Sequence, residues 1–133
     1  MAERDGRIAV VRVTHGGASW FDLPGGGRDE GETAEAAVAR EFGEETGLIV
    51  RATRPLVRAD QFMRRTDGQP ANNRSVIFEA VVTGEDLSLK IEDDHELVWM
   101  DPVEALKRLR HDSHAWGVAR WLRARLDPRQ GDD

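Results

Sequence analysis

The segment from Gly25 to Leu48 constrains the fold of this chain more than any other. It reads GGGRDEGETAEAAVAREFGEETGL, in which three glycines precede an acidic stretch rich in alanine. Alanine and glutamate favour helix, and glycine commonly follows the last helical turn. The composition therefore predicts a helix from Thr33 to Thr46 that ends at Gly47, directly after a flexible loop.

Three carboxylates share one face of this predicted helix, because residues three and four apart are neighbours on a helix surface. They are Glu41, Glu44 and Glu45, and the other side carries Ala34, Ala37, Val38 and Phe42, which suit packing on a sheet. Each like-charge pair costs about 0.2–0.5 kcal/mol on an exposed helix. Carboxylate oxygens are hard ligands, so Mg²⁺ or Mn²⁺ would relieve the repulsion. The alternative is a solvated acidic face paired with Arg40 and Arg51.

The glycines in front of the helix favour the cation hypothesis. Gly25, Gly26 and Gly27 let backbone atoms approach a ligand closely, because they carry no side chain. A bare carbonyl in such a loop is a further hard oxygen ligand. A glycine loop alone is usually a simple turn, but one joined to three spaced carboxylates indicates a metal site.

This segment resembles the Nudix box, Gly-x5-Glu-x7-Arg-Glu-U-x-Glu-Glu-x-Gly-U, where U is a bulky apolar residue. Every fixed position is filled at the correct spacing, by Gly26, Glu32, Arg40, Glu41, Phe42, Glu44, Glu45, Gly47 and Leu48. Phe42 stands where aliphatic residues are commoner, and it keeps the packing role. The flanking stretches WFDLPGGG and ELVWMDPVEAL also resemble the family.

The resemblance implies an α/β/α sandwich around a mixed β-sheet, as a single domain over residues 1–133 with a frayed tail at 126–133. The order of apolar, β-branched and amphipathic segments agrees with that architecture. Strands are expected at 7–13, 18–24, 48–53, 55–62, 74–82, 86–91 and 96–101, and further helices at 103–110 and 112–126. Residues 65–73 are expected to form a turn-rich loop, and Asp112 or Ser113 to cap the last helix.

The resemblance also implies an activity: hydrolysis of a nucleoside diphosphate linked to another group, with Mg²⁺ or Mn²⁺ as cofactor. Glu44 and Glu45 match the principal metal ligands of the family, and Glu41 matches a third ligand or a water-activating base. Gly26 would offer its carbonyl oxygen to the metal.

Two further box positions complete the implied catalytic set of Glu41, Glu44, Glu32 and Arg40. Glu32 would orient a neighbour or a water molecule, and Arg40 is similar to the structural arginine that holds the carboxylates by ion pairs. A surface arginine is the alternative for Arg40.

The catalytic base stays open between a helix glutamate, Glu41 or Glu44, and a later acid. The stretch KIEDDHELVW offers Glu92 or Asp93 as an additional ligand or base, and a solvated acidic turn explains these two equally well. His95 in the same stretch is expected to be a surface residue.

The substrate is inferred only by elimination. Markers that the family uses for ADP-ribose, dinucleoside polyphosphates, coenzyme A or NADH are not apparent, which leaves the MutT-like branch and a nucleoside triphosphate. The alternatives are ADP-ribose or a nucleotide sugar, capped RNA, and a domain that senses a nucleotide without cutting it. The net charge of −6 makes nucleic acid an unexpected partner.

No substrate-binding residue is assigned from the sequence. Four arginines could bind phosphate or merely keep the surface soluble: Arg58, Arg64, Arg65 and Arg74. Trp20, Phe21, Phe62 and Phe78 could stack on a base, but packing in the core is the favoured interpretation. Asn72 and Asn73 read first as turn residues.

The chain has no cysteine, which excludes disulfides, thiolate zinc sites and cysteine nucleophiles. No apolar run approaches the roughly 20 residues that span a bilayer, and the N-terminus is charged. A cytoplasmic protein without a membrane contact is therefore expected. Trp116 or Trp121 could form a homodimer contact, since the two do not share a helix face.

Overall fold

The computed structural model describes residues 1–65 and 67–127. Most of the tail expected to fray at 126–133 therefore lies outside the described residues. Leu126, the first residue of that expected tail, belongs to the last helix. In the described part of the chain, no helix is both long enough and apolar enough to cross a membrane.

The larger of two sheets is built around one strand and is antiparallel. It contains β1 (Glu3–Arg4), β2 (Arg7–His15), β3 (Ala18–Asp22) and, from the end of the chain, β6 (His95–Met100). Val11 pairs with both Asp22 and Leu97, so β3 and β6 lie on opposite edges of β2. The segment from 7 to 13 forms a strand because it is apolar and rich in β-branched residues.

The second sheet is a long antiparallel hairpin of β4 (Leu48–Arg64) and β5 (Pro70–Glu85). The two strands expected at 48–53 and 55–62 are one strand, whose register shifts between Ile49 and Val57. An isolated parallel bridge between Ala2 and Ala80 links the two sheets. Among the described residues, parallel pairing is confined to such isolated bridges, so the mixed character of the fold rests on them.

Helices cover both faces of the larger sheet. They are α1 (Ala34–Thr46), α2 (Pro102–Arg108) and α3 (Asp112–Leu126). Side chains alternate between the faces of a strand, and Ile8 packs in one cluster with Val118 of α3. Its neighbour Ala9 packs in the other cluster with Phe42 and Leu48, at the C-terminal end of α1. The expected α/β/α sandwich is thus confirmed.

Two expected local structures are wrong, and side-chain hydrogen bonds explain the first. The weak strand at 86–91 is a 3-10 helix at Leu87–Leu89, since the Asp86 carboxylate accepts a hydrogen bond from the backbone N–H of Ser88 at 3.0 Å. The loop expected at 65–73 is shorter, because β5 already begins at Pro70. Asn72 and Asn73 are therefore strand residues.

The cap of the last helix also differs from expectation. His111 occupies the N-cap position and makes no side-chain cap hydrogen bond, while Asp112 and Ser113 lie in the first turn. The backbone N–H of Ser113 instead donates to the side-chain oxygen of Gln61, at 3.5 Å. Gln61 of the hairpin thus accepts a hydrogen bond from an N–H group in the first turn of α3, as a local N-cap side chain would otherwise do.

Two helical glycines give a test of the packing between the hairpin and α3. A Cβ on Gly117 would lie 2.6 Å from Cγ2 of the buried Ile77, whereas one on Gly43 would meet Leu89 at an ordinary 3.5 Å. Alanine gains about 0.8–1 kcal/mol over glycine in a helix, and overpacking costs about 1–3 kcal/mol.

We therefore expect Gly117→Ala to lower the free energy of unfolding by up to about 2 kcal/mol, measured by urea denaturation. The matched Gly43→Ala should be neutral or stabilising. Equal effects of the two substitutions would contradict the tight contact at Ile77.

Candidate active site

Helix α1 has the limits that its sequence predicts. The Thr33 hydroxyl accepts a hydrogen bond from the backbone N–H of Ala36 at 3.1 Å, which caps the first turn. Gly47 adopts a left-handed conformation with φ of 78°, and its N–H donates to the carbonyl of Gly43 at 2.9 Å. These two ends fix which residues of α1 face the preceding glycine loop.

The acidic cluster consists of Glu32, Glu41, Glu44 and Glu45, and Arg40 binds three of these four carboxylates. Its Nε donates to Glu32 Oε2 at 2.8 Å, and its Nη1 donates to Glu41 Oε1 at 2.9 Å and to Glu44 Oε2 at 3.2 Å. Its Nη2 donates to Glu32 Oε1 at 3.0 Å and to the carbonyl of Gly27 at 2.8 Å. One planar guanidinium therefore holds three carboxylates and the loop together, in the way that a fork of fixed donors allows.

Glu32 is bound to Arg40 through both carboxylate oxygens. The side-chain hydrogen bonds from Arg40, followed by one from the backbone N–H of Asp29, lower the pKa of Glu32 from 4.5 to about 2. Glu32 is therefore a charged partner of the arginine over the whole range in which a hydrolase works. This geometry suits a positioning role for Glu32.

Gly26 lies directly against the carboxylate of Glu41. A Cβ at this position would be 2.7 Å from both Cδ and Oε1 of Glu41, closer than real Cβ atoms approach. The glycine thus leaves space that the carboxylate fills, which accounts physically for glycine at this box position.

Glu45 is the buried member of the cluster, with 3% of its surface exposed. Its Oε2 accepts a hydrogen bond from the backbone N–H of Gly25 at 3.1 Å. The pKa of Glu45 is raised from 4.5 to about 9, mainly by burial and also by the charges of Glu41 and Glu92, while the hydrogen bond from the N–H of Gly25 opposes the shift. Without a cation, the buried site therefore favours the protonated form of this carboxyl group near neutral pH.

The cluster fits a hard divalent cation. Glu41, Glu44 and Glu45 supply carboxylate oxygens, the ligand type that Mg²⁺ and Mn²⁺ prefer, and the buried Glu45 lacks a strong cationic partner among the described residues. The structure thus brings all the sequence-predicted site residues together: Gly26, Glu32, Arg40, Glu41, Glu44 and Glu45.

The loop before β6 closes the open side of this cluster. The backbone N–H groups of Ile91 and Glu92 donate to the carbonyl of Glu44 at 2.9 and 3.0 Å, at the end of α1. His95 then points inward, with Nε2 3.5 Å from Glu45 Oε1 and Nδ1 2.7 Å from Asp94 Oδ1. The expectation that His95 is a surface residue is wrong, since its ring is mostly buried against Glu45.

The acids near His95 are not the pair that the sequence favoured. Glu92, Asp94 and His95 each offer a ligand atom, and these atoms lie within 4.8 Å of one another. Asp93 is exposed and lies outside that group. No local signal in the sequence marks this contact of His95, because it depends on the pairing of β6 with β2, in which His95 lies opposite Val13.

Comparison with known proteins agrees with this site. The sequence profile of the NUDIX domain matches residues 1–122. An RNA pyrophosphohydrolase of Sphingopyxis alaskensis (strain DSM 13593 / LMG 18877 / RB2256) is 48% identical over 48 residues, 36% of this chain and 30% of that relative. This chain therefore spans less than a third of the length of that curated relative.

Solved structures share the fold. A NUDIX hydrolase from Nitrosomonas europaea has a TM-score of 0.72 at 19% identity, over 92% of this chain and 84% of that one. A MutT protein from Methanosarcina mazei Go1 has a TM-score of 0.69 at 20% identity, over 95% of this chain and 89% of that one. The chain belongs to the Nudix hydrolase family, as its box predicts, because the family profile covers most of its length.

The hydrogen bonds of Glu32 lead to a pH-dependent prediction. A carboxyl group with a lowered pKa stabilises the fold above its unfolded value of 4.5 and loses that effect as pH falls towards 2. The excess stability of the wild type over Glu32→Gln should therefore be constant between about pH 7 and pH 5 and shrink below that range.

Urea denaturation across this pH range measures that difference. The matched control is Glu30→Gln, which removes the charge of an exposed neighbour in the same loop. A difference that stays constant down to about pH 3 would contradict the role of the Arg40–Glu32 bonds.

The burial of Glu45 leads to a prediction of the opposite sign. Because folding raises the pKa of Glu45, this group contributes to the stability of the fold below pH 4.5, and the contribution is lost as pH rises towards 9. With divalent cations chelated, Glu45→Gln should therefore melt at a higher temperature than the wild type near neutral pH, and the gap should widen as pH rises.

Addition of Mn²⁺ should raise the melting temperature of the wild type, because a cation that binds only the folded protein stabilises it. The effect on Glu45→Gln should be much smaller, because this variant lacks one of the proposed ligands. Glu35→Gln, on the exposed side of α1, is the control and should respond like the wild type. Equal stabilisation of Glu45→Gln by Mn²⁺ would remove Glu45 from the proposed ligand set.

Proposed function

We propose that the chain is a metal-dependent pyrophosphohydrolase that cleaves a nucleoside triphosphate. The observation that carries the proposal is the convergence of Glu41, Glu44 and the buried Glu45 beside Gly25 and Gly26. The intact box and the family membership support the reaction class.

In this proposal Glu41, Glu44, Glu45 and the carbonyl of Gly26 hold Mg²⁺ or Mn²⁺. The bound cation would neutralise phosphate oxygens and lower the pKa of a coordinated water molecule. Nη1 of Arg40 donates to both Glu41 and Glu44 and so holds the two carboxylates close together despite their mutual repulsion. The work of the protein is then positioning and electrostatics, as in other phosphoryl transfers.

The proton of the attacking water must go to a nearby base. Glu41 and Glu44 are the candidates on α1, and Glu92 is the candidate on the loop, because its backbone is bound to the end of the same helix. Asp93 is the weaker of the two loop acids, since it is exposed and lies outside the group around His95.

A second substrate, the triphosphate end of an RNA, is favoured by one specific finding. The partial relative from Sphingopyxis alaskensis is named an RNA pyrophosphohydrolase. Both substrates present the same phosphate chain to the acidic cluster, so the chemistry at Glu41, Glu44 and Glu45 would be common to them.

The competing function is a domain that binds a nucleotide without hydrolysing it. Every carboxylate of the box is retained in this chain, and a sensor has no need of all of them. Tight binding of one nucleotide without turnover of any would favour the sensor.

The test is a panel of nucleoside triphosphates, ADP-ribose, nucleotide sugars, dinucleoside polyphosphates, capped RNA and triphosphorylated RNA, assayed with Mg²⁺ for phosphate or pyrophosphate release. Glu44→Gln and Glu45→Gln should each lower kcat by about a hundredfold or more, a loss typical of removing one electrostatic contact to a transition state. Glu35→Gln should retain full activity. Near-normal turnover by Glu45→Gln would contradict its assignment.

A further inference from the structure

The far half of the β4–β5 hairpin has two unlike faces. From 57 to 64 the register with β5 is regular, so alternate residues lie on opposite sides. The inner side packs on α3, where Ile77 contacts Gly117 and Gln61 accepts from the backbone of Ser113. The outer side, here named the outer ribbon face, consists of Arg58, Asp60, Phe62, Arg64, Pro70, Asn72, Arg74 and Val76.

Phe62 is the unusual member of the outer ribbon face. It is 82% exposed, whereas the other aromatic residues considered as stacking candidates are more buried, with Phe21 at 8% and Phe78 at 7%. Packing is thus confirmed for those two phenylalanines and wrong for Phe62. Asn72 lies directly opposite Phe62 in the register and is also exposed.

The charges around Phe62 are mostly positive. Between Arg58 and Arg74 the sequence holds four arginines, two aspartates and no lysine or glutamate, although the whole chain carries −6. In the described part of the chain, none of the ion pairs involves Arg58, Arg64 or Arg74. These guanidinium groups are therefore available to an anionic partner, even with Asp60 on the same face.

An exposed aromatic ring flanked by arginines that form no ion pair with any described residue suits single-stranded nucleic acid. Bases stack on aromatic side chains without regard to sequence, while arginines neutralise the phosphates that join them. A binding site for a protein usually presents a broader apolar patch. On this face Phe62 is the one large hydrophobic residue that is mostly exposed, so the face lacks such a patch.

The inner side of the hairpin is linked to the acidic cluster through a series of hydrogen bonds. Gln61, next to Phe62, accepts from Ser113 of α3, and His114 accepts from the backbone N–H of Leu23 through Nδ1 at 3.1 Å. Leu23 is two residues before Gly25, whose N–H donates to Glu45. Helix α3 thus contacts both the hairpin and the strand end that leads into the loop of the candidate active site.

We propose that the outer ribbon face binds the single-stranded segment of an RNA whose 5′-triphosphate occupies the acidic cluster. The proposal rests on the triphosphate chemistry proposed above and names its larger substrate. It also explains how a chain of net charge −6 can bind RNA, because the arginines are gathered on one ribbon while the acids surround the cation site.

The first measurement is direct binding of a short, single-stranded RNA with a 5′-hydroxyl end, followed by fluorescence anisotropy, which requires no hydrolysis. Phe62→Ala should weaken this binding about tenfold, the effect of losing one stacked base. Arg74→Gln should reduce the slope of log affinity against log salt concentration by about 0.7, the value for one phosphate contact on a single strand.

Matched controls are Leu126→Ala, which removes another exposed apolar side chain, and Arg51→Gln, which removes an exposed arginine from the near end of β4. Neither should change RNA binding. All four variants should hydrolyse a free nucleoside triphosphate like the wild type, while Phe62→Ala and Arg74→Gln should hydrolyse dilute triphosphorylated RNA more slowly.

The outcomes separate the two proposals. RNA affinity that is unchanged in Phe62→Ala overturns the RNA-binding face, even if triphosphates are hydrolysed. A concentration-dependent dimer that Phe62→Ala abolishes, without an effect on RNA, overturns it in favour of self-association. RNA binding that depends on Phe62 in a protein that hydrolyses no triphosphate supports the face and contradicts the proposed hydrolase.

Discussion

Arg40 provides the constraint on which the rest of the site depends. Glu41 and Glu44 would repel each other at the distance that the helix imposes, Glu32 in the preceding loop adds a third negative charge, and one guanidinium bonds to all three. The same group donates a hydrogen bond to the carbonyl of Gly27, which links the loop to α1. A lysine would supply the charge without the planar fork, and could not hold both oxygens of Glu32 while bonding to the others.

The remaining acid, Glu45, is held in a different way. Its neighbours are the sheet, the N–H of Gly25 and the ring of His95, and the ion pairs of Arg40 among the described residues do not include it. Phe42 and Leu48 anchor α1 on the sheet and thereby carry Glu45 into the interior. Burial that stabilises the helix is therefore what makes the charge of Glu45 costly, and a cation would offset that cost.

The sequence predicted those parts of the molecule that local rules determine. Helix α1 follows from a Thr33 cap and a Gly47 stop, whereas the ion pairs of Arg40 are those that the resemblance to the Nudix box implies. The segment at 86–91 was misassigned because the alternation of Leu87, Leu89 and Ile91 indicates a strand, whereas the Asp86 side chain competes for the backbone.

Local rules do not predict contacts between segments that are distant in the sequence. The contact of His95 with Glu45 depends on β6 pairing with β2, and the cap of α3 depends on Gln61 from the hairpin. The exposure of Phe62 depends on the register of β4 with β5, in which a shift of one residue would have turned it inward. Residue identity alone favours burial for phenylalanine, so only the pairing reveals the outer ribbon face.

The separation of charge in this chain resolves an apparent conflict between an acidic protein and an anionic substrate. Without a cation, Glu41 and Glu44 repel a triphosphate and the buried Glu45 offers it no positive charge, so the proposed affinity of this site for phosphate depends on the metal. Arginines on the hairpin attract phosphates at any metal concentration, and over about 8 Å in physiological salt. The acidic cluster would therefore select the diphosphate bond, and the outer ribbon face would select substrates with further phosphates beyond it. Net charge averages these two surfaces and describes neither of them.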